Sequence, residues 1–327
     1  MATNQKNIKT DLLIEAHEVL LQTSQLPEHY AGISTDYRSE ENVDISDIRI
    51  MTDEAAEKLG KAQGRYITLE ASGLRDKNSD LEDRLSRLLY RELKSILPSG
   101  DGARILVVGL GNWNVTPDSL GPSVVENLYV TRHLKALYPE KLGPGFRDVC
   151  AIAPGVLGLT GIETSEIIFG IVQRVKPDAV VAIDALAARS LHRLNTTIQI
   201  SDTGIYPGSG VGNQRQGLTR ETLGVPVIAV GIPTVVDAAT LASDAIDLLI
   251  AAIREQAISA KLTDLLDTID HLGDDRTSLI REVMNPSVGK LMVTPKEVDR
   301  LLEDISSVLT NALNAALHPR VAQEYYH

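Results

Sequence analysis

Two acidic residues stand where an open α/β sheet does its chemistry. Asp118 closes the run Gly109-Leu-Gly-Asn-Trp-Asn-Val-Thr-Pro-Asp118, and Asp184 ends the run Ala179-Val-Val-Ala-Ile-Asp184. Ligands of such sheets gather just past the carboxyl ends of the strands. Two carboxylates that meet there are able to share a proton and activate a water. Each residue also has a plainer reading. Asp118 directly precedes a helical stretch and would serve as its cap, drawn to the positive helix end. Asp184 would be a partly desolvated acid at a strand end. That both follow apolar strands of one αβ block favours a working pair.

Other polar residues are weaker candidates. Asn112 and Asn114 would tie down the loop before Asp118 or contact a substrate backbone. Gly109-Leu-Gly111 begins like a dinucleotide fingerprint, but Asn114 stands at the third glycine and Pro117 interrupts the expected helix, so a tight turn is the better reading. The glycine-rich stretch 201–213 carries Asp202, Thr203 and Ser209, whose side chains and neighbouring amides suit peptide binding. Asp202-Thr-Gly204 matches the triplet of pepsin-like proteases but lacks their β-rich context, and Ser209 lacks a nucleophile elbow. Asp237 reads as a helix cap. His133 and His192 have no metal-ligand spacing, and no zinc motif occurs.

The elements that must hold these residues follow from the apolar pattern. Positions 42–50 and 65–70 alternate as strands, with a helix between them capped by Thr52 or Asp53. Leucines at helical spacing predict a helix over 80–97, ended by Pro98-Ser-Gly. From 103 onward strand and helix alternate: strands at 104–108, 149–153, 179–183, 197–200 and 225–231, and helices at 119–137, 165–175 and 238–254. This predicts an α/β fold, a mainly parallel central sheet flanked by helices. An amphipathic segment spans 12–21, a surface helix or insertion 261–281, and a terminal helix starts with Thr294 as cap, Pro295 at its first position and Glu297 in its first turn.

Composition narrows the class. Hydrophobic residues make up 43% and aromatics only 4% of 327 residues, so the core must be aliphatic, as parallel strands buried on both faces require. A net charge of -12 argues against nucleic-acid binding. One cysteine, Cys150, excludes an intrachain disulfide and reads as a small core residue. No signal segment or membrane-length apolar run is evident, so the chain reads as soluble and intracellular.

At these residues the sequence resembles the germination protease family, the endopeptidases of spore-forming bacteria that degrade small acid-soluble spore proteins. The likeness rests on Gly109 through Asp118, Ala153-Pro-Gly-Val, Gly161-Ile-Glu-Thr-Ser165, Ala182-Ile-Asp-Ala-Leu-Ala-Ala-Arg189, Asn195 through Gly204, Pro207 through Asn213 and Leu291-Met-Val-Thr-Pro-Lys-Glu297. The resemblance implies a fold like that of hydrogenase-maturation endopeptidases, with N-terminal β/α additions, and aspartic-type catalysis by Asp118 and Asp184. It also implies a homotetramer of the developing forespore and spore core, made as a zymogen that removes its own leader. Lys9-Thr-Asp11-Leu12 resembles the processing site, so residues 1–11 would be a propeptide cut between Asp11 and Leu12, lying across the acids. Residues 12–327 would form one peptidase domain: an N-terminal β/α part (12–100), a catalytic core (103–255) and a helical part (256–327). No cofactor is expected. Two rival readings remain: a metal-dependent endopeptidase, in which the same acids hold a divalent cation, and a non-enzymatic peptide-binding module using the 201–213 loop.

Overall fold

The computed structural model describes residues 10–22, 30–100, 102–206, 216–256, 279–280, 282–283 and 291–326. Ser209 and the rest of 207–215, and nearly all of 261–281, lie outside them. The chain order is α1 (Leu13–Gln22), β1 (Ile33–Glu40), β2 (Val43–Ile50), α2 (Asp53–Leu59), β3 (Gly64–Glu70), α3 (Ser79–Ile96), β4 (Arg104–Gly109), α4 (Leu120–Glu126), α5 (Arg132–Leu137), α6 (Pro139–Leu142), β5 (Asp148–Ile152), α7 (Leu157–Thr160), α8 (Thr164–Val175), β6 (Ala179–Ala188), β7 (Thr197–Ser201), α9 (Arg220–Leu223), β8 (Val227–Asp237), α10 (Ala238–Gln256), β9 (Met292–Val293), α11 (Val298–Leu317) and α12 (Pro319–Tyr325).

The strands form one sheet in the order β1-β2-β3-β7-β8-β6-β4-β5, with β9 added beside β8. The block β8-β6-β4-β5 is parallel, as the strand–helix alternation predicts. The N-terminal strands extend it as an antiparallel ribbon, joined through β7. Alternate residues of β4 and β6 serve two cores. Ile105, Val107, Val181 and Ile183 pack under α3, α4 and α11. Leu106, Val108, Val180 and Ala182 pack under α8 and α9. Burial on both faces is why these strands read as unbroken apolar runs. A third cluster joins α1 and α2 to Ile48, Ile50, Leu186, Ala188 and Val236.

Four expectations change. The helix over 119–137 is two: α4 stops at Asn127, and Thr131 then bonds to the Arg147 carbonyl and accepts from the Val149 amide at 3.0 Å, tying the chain to β5. β8 continues through Val236 instead of ending at 231, because β6 runs beside it to Ala188. The terminal helix starts at Val298, since the Thr294 hydroxyl donates to the Thr234 carbonyl at 2.9 Å rather than capping. The final residues, which read as frayed in the sequence, form α12. Thr52 caps α2 as expected, and the Asp237 carboxylate accepts from Ala239 and Thr240 at the start of α10.

His318, where α11 meets α12, is fully buried. Its Nε2–H donates to the Tyr129 carbonyl at 2.8 Å, and Nδ1 has no hydrogen-bond partner among the described residues. Burial, and beyond it the charge of Arg147, holds its pKa below the usual histidine range, against the pull of the Tyr129 carbonyl. A histidine kept neutral in the fold gives stability that is present above the unfolded-state pKa of about 6.5 and is lost as pH falls below it, by up to about 1.4 kcal/mol per pH unit. His17 shifts in the same direction. Urea melts between pH 7.5 and 5 are expected to show this decline, and His318→Gln is expected to flatten it in part, leaving the His17 contribution.

Candidate active site

β4 ends at Gly109, and the Leu110 N–H donates to the Ile183 carbonyl at 2.8 Å, so the loop leaving β4 starts beside Asp184. The loop returns through a 3-10 turn, Thr116–Asp118, that touches both β6 and β8. Within it the Asn112 N–H donates to the Asp118 carbonyl at 2.9 Å, and the Asn112 side chain accepts from the Asn114 N–H at 3.0 Å. The Thr234 hydroxyl on β8 holds the Pro117 carbonyl at 2.6 Å. Helix α4 then dives under the sheet where Gly109 and Gly121 meet: a Cβ on either would overlap the other segment's backbone. Asn112 and Asn114 are therefore loop-forming residues. Trp113 between them is half exposed.

Asp184 is only 6% exposed, and one carboxylate oxygen accepts from the Ala185 N–H at 2.9 Å. The structure corrects its expected position at a strand end: β6 continues for four residues beyond it, paired along β8. It nevertheless lies just past the end of β4, because Gly109 pairs with Ile183. By strand alternation it faces the side that carries Val180 and Ala182 on one flank and Leu186 and Ala188 on the other. The fold thus places Asp118 and Asp184 at one end of the parallel block. An open cleft of about 750 Å³ flanks the same loop, lined by Trp113, Thr116 and Ser119 and by the carboxylates of Glu126, Asp299 and Glu303.

Asp202 and Thr203 lie elsewhere. They follow β7, which runs antiparallel to β8 and so heads away from the Asp184 level. The Asp202 carboxylate accepts from the Arg65 N–H at 2.8 Å, fastening β7 to β3, and the Thr203 hydroxyl bonds to Ser201. Among the described residues no group of three or more His, Cys, Asp or Glu is arranged to hold a metal ion.

The segment around Asp11 and Leu12 is held against β6. The Asp11 N–H donates to the Ala187 carbonyl at 2.9 Å, and the Ala187 N–H donates to the Asp11 carboxylate at 2.8 Å. Lys61 Nζ donates to the carbonyls of Thr10 and Asp11, each at 2.9 Å. Gln199 spans the next residue: its amide donates to the Asp11 carbonyl at 3.3 Å and accepts from the Leu13 N–H at 2.7 Å. Leu12 and Leu13 are fully buried. Ala187 is three residues beyond Asp184, about 10 Å along a strand. The described part of this strap, from Thr10, therefore lies beside the acid on the same strand; residues 1–9, expected to lie across the acids, are outside the described residues. Glu15, in the first turn of α1, is buried and accepts from the amides of Arg189 and Ser190 at 2.7 and 2.9 Å, where β6 ends. Lys61 and Glu15 escape a sequence reading because neither belongs to a motif, and the role of Gln199, inside the Asn195–Gly204 stretch, because its partners are remote in the chain.

A family model described as germination protease matches residues 13–263 and 258–327. The chain is 46% identical over 354 residues to the germination protease of Bacillus subtilis (strain 168), covering 98% of this chain and 96% of that protein. It is 48% identical over 318 residues to the germination protease of Caldanaerobacter subterraneus subsp. tengcongensis, covering 97% and 96%. Among solved structures, the [NiFe] hydrogenase maturation protease HycI of Thermococcus kodakarensis KOD1 is 23% identical, with a TM-score of 0.30 over 44% of this chain and 80% of that one.

Proposed function

The chain belongs to the germination protease family and is a peptidase, and from that premise we propose that it starts the degradation of small acid-soluble spore proteins by an aspartic-type mechanism using Asp118 and Asp184. The observation that carries the chemistry is a carboxylate, Asp184, 6% exposed in an apolar strand, with the Asp118 turn folded over the adjacent strand end. In this reading one acid is ionised and takes a proton from water, whose oxygen bonds to the scissile carbonyl carbon. The other, protonated, polarises the carbonyl oxygen. As the C–N bond breaks, a proton passes to the leaving amine.

We further propose that the chain is a zymogen that loses residues 1–11, and that it acts as a homotetramer in the spore compartment. The clamp on Thr10 and Asp11 supports the zymogen reading, since it holds the Asp11–Leu12 bond in place about three strand residues from Asp184. The strap must leave its seat, or be cut by another copy, before that bond meets the acids.

The test is digestion of a purified small acid-soluble spore protein by the trimmed enzyme after exhaustive chelation. Discrete fragments at an undiminished rate are expected. Activity lost to the chelator and restored by a divalent cation would replace this reading with the metal-dependent one. Absence of cleavage between pH 5 and 8 would favour a peptide-binding module.

A further inference from the structure

We propose that the open edge of β6 at Ala185 is a slot in which an extended peptide adds to the sheet as one more strand, its backbone beside the Asp184 carboxylate. The inference rests on the peptidase reading above and goes further, because it assigns the main-chain groups that hold a substrate backbone.

Three hydrogen bonds fix which way the main chain of β6 faces. The Val180 N–H donates to the Pro226 carbonyl at 2.9 Å, so even-numbered residues bond toward β8. The Ile183 carbonyl accepts from the Leu110 N–H at 2.8 Å and the Ala187 carbonyl from the Asp11 N–H at 2.9 Å, so odd-numbered residues bond on the opposite side. Ala185 lies between these two, and strand alternation turns its N–H and C=O to that same side. There β4 has ended, its last pair being Gly109 with Ile183. In a continuing ladder the Asn112 N–H would reach the Ala185 carbonyl. It goes instead to the Asp118 carbonyl at 2.9 Å, in the turn that Gly111 opens with φ +112. Among the described residues no other backbone N–H takes its place, and the Ala185 N–H is held by the neighbouring Asp184 carboxylate at 2.9 Å. Ala185 is half-buried, so this is a narrow gap in an otherwise paired edge. Such an edge is a template for an added strand. The chain itself shows what this edge accepts: the strap places the Asp11 main chain on it, two residues further on. A peptide residue paired with Ala185 gives its N–H to the Ala185 carbonyl and takes the Ala185 N–H on its own carbonyl. That N–H now touches Asp184, so the carbonyl it receives stands beside the carboxylate. The peptide residue two positions along reaches Ala187 once the strap is gone, and the residue between them bonds to neither.

Residues 12–327 keep every strand and helix of the described structure and all three apolar clusters, so this chain tests the slot with the strap removed. It is released from a fusion that leaves Leu12 first, and it carries Asp118→Asn so that a bound peptide is not consumed. The probe is a fluorescent peptide of residues 7–16, Asn-Ile-Lys-Thr-Asp-Leu-Leu-Ile-Glu-Ala, with a series of analogues each N-methylated at one main-chain nitrogen. Fluorescence anisotropy is expected to show a period of two. N-methylation weakens binding about ten-fold or more at two residues spaced by two, and by less than about three-fold at the residue between them. Ala185→Pro removes an N–H that no neighbouring strand uses, and proline is tolerated at an unpaired edge. This variant is expected to fold and to bind the parent peptide about ten-fold more weakly. Should it fail to fold by circular dichroism, the N-methyl scan alone decides. No binding of the parent peptide, a flat scan, or losses at consecutive residues would overturn the slot, as would normal binding by folded Ala185→Pro. Period-two binding beside a wild-type chain that cleaves no spore protein would leave the slot standing and remove the peptidase reading; spore-protein cleavage with a flat scan would do the reverse.

Discussion

Asp184→Asn is expected to lower kcat for spore-protein cleavage by about 10³-fold or more, the scale of removing a general acid–base partner together with its electrostatic role. The substitution keeps size and shape. The amide oxygen still accepts the Ala185 N–H, now 2.9 Å from the carboxylate, so the strand pairing of β6 with β8 stays intact. The melting temperature is therefore expected to hold within a few degrees, and Asn, which has no charge to desolvate, is easily tolerated at this depth. Asp118→Asn is expected to cost a similar factor. If the acids act as one proton-sharing unit, the double variant falls no further than the worse single one, because residues of a unit are grossly non-additive. Single-turnover cleavage with saturating enzyme isolates the chemical step from peptide binding. Wild-type turnover by either variant would end the aspartic reading. Two independent, multiplying losses would assign the acids separate roles.

The parts of this site legible in the sequence are those where local grammar and tertiary structure agree. The runs before Asp118 and Asp184 are apolar because both faces of β4 and β6 are covered, and the covering helices show their own spacing. The strand beyond Asp184 was hidden. Ala185 to Ala188 and Ile232 to Val236 extend each other, and Pro233 within β8 argues locally against a strand. β1 was hidden for the opposite reason: it is an edge strand whose Ser34 to Tyr37 are exposed or half exposed, so no alternation marks it. Its hairpin turns through Glu41 and Asn42 with positive φ, where a glycine would have announced the turn. The break after α4 depends on Thr131 finding Arg147 and Val149 across the fold. The grip on Asp11 joins residues 50 positions away at Lys61 and 188 away at Gln199, a separation that no periodicity encodes.

Gly111→Ala is expected to lose both stability and activity, and the comparison with Gly224→Ala separates the two causes. Gly111 has φ +112, and a Cβ built on it overlaps the carbonyl oxygen of Asp118. That oxygen accepts the Asn112 N–H at 2.9 Å, the bond that closes the loop. An added methyl must push this backbone outward, so the cost combines a strained conformation with overpacking, about 3 kcal/mol or more. The displaced atom belongs to Asp118 itself. A shift of about 1 Å in a catalytic group costs on the order of 10²-fold in rate. Gly224 also has positive φ, +73, but nothing lies within 4 Å of its Cβ position, and it ends α9. Gly224→Ala therefore carries the conformational cost alone, about 1 kcal/mol, with kcat unchanged. Thermal melts and kcat on the two variants give the result. If Gly111→Ala keeps full turnover at a temperature where it is folded, the position of the Asp118 turn does not limit the chemistry. If only Gly111→Ala loses turnover, the narrow passage between Gly111 and the Asp118 backbone is what aims that carboxylate.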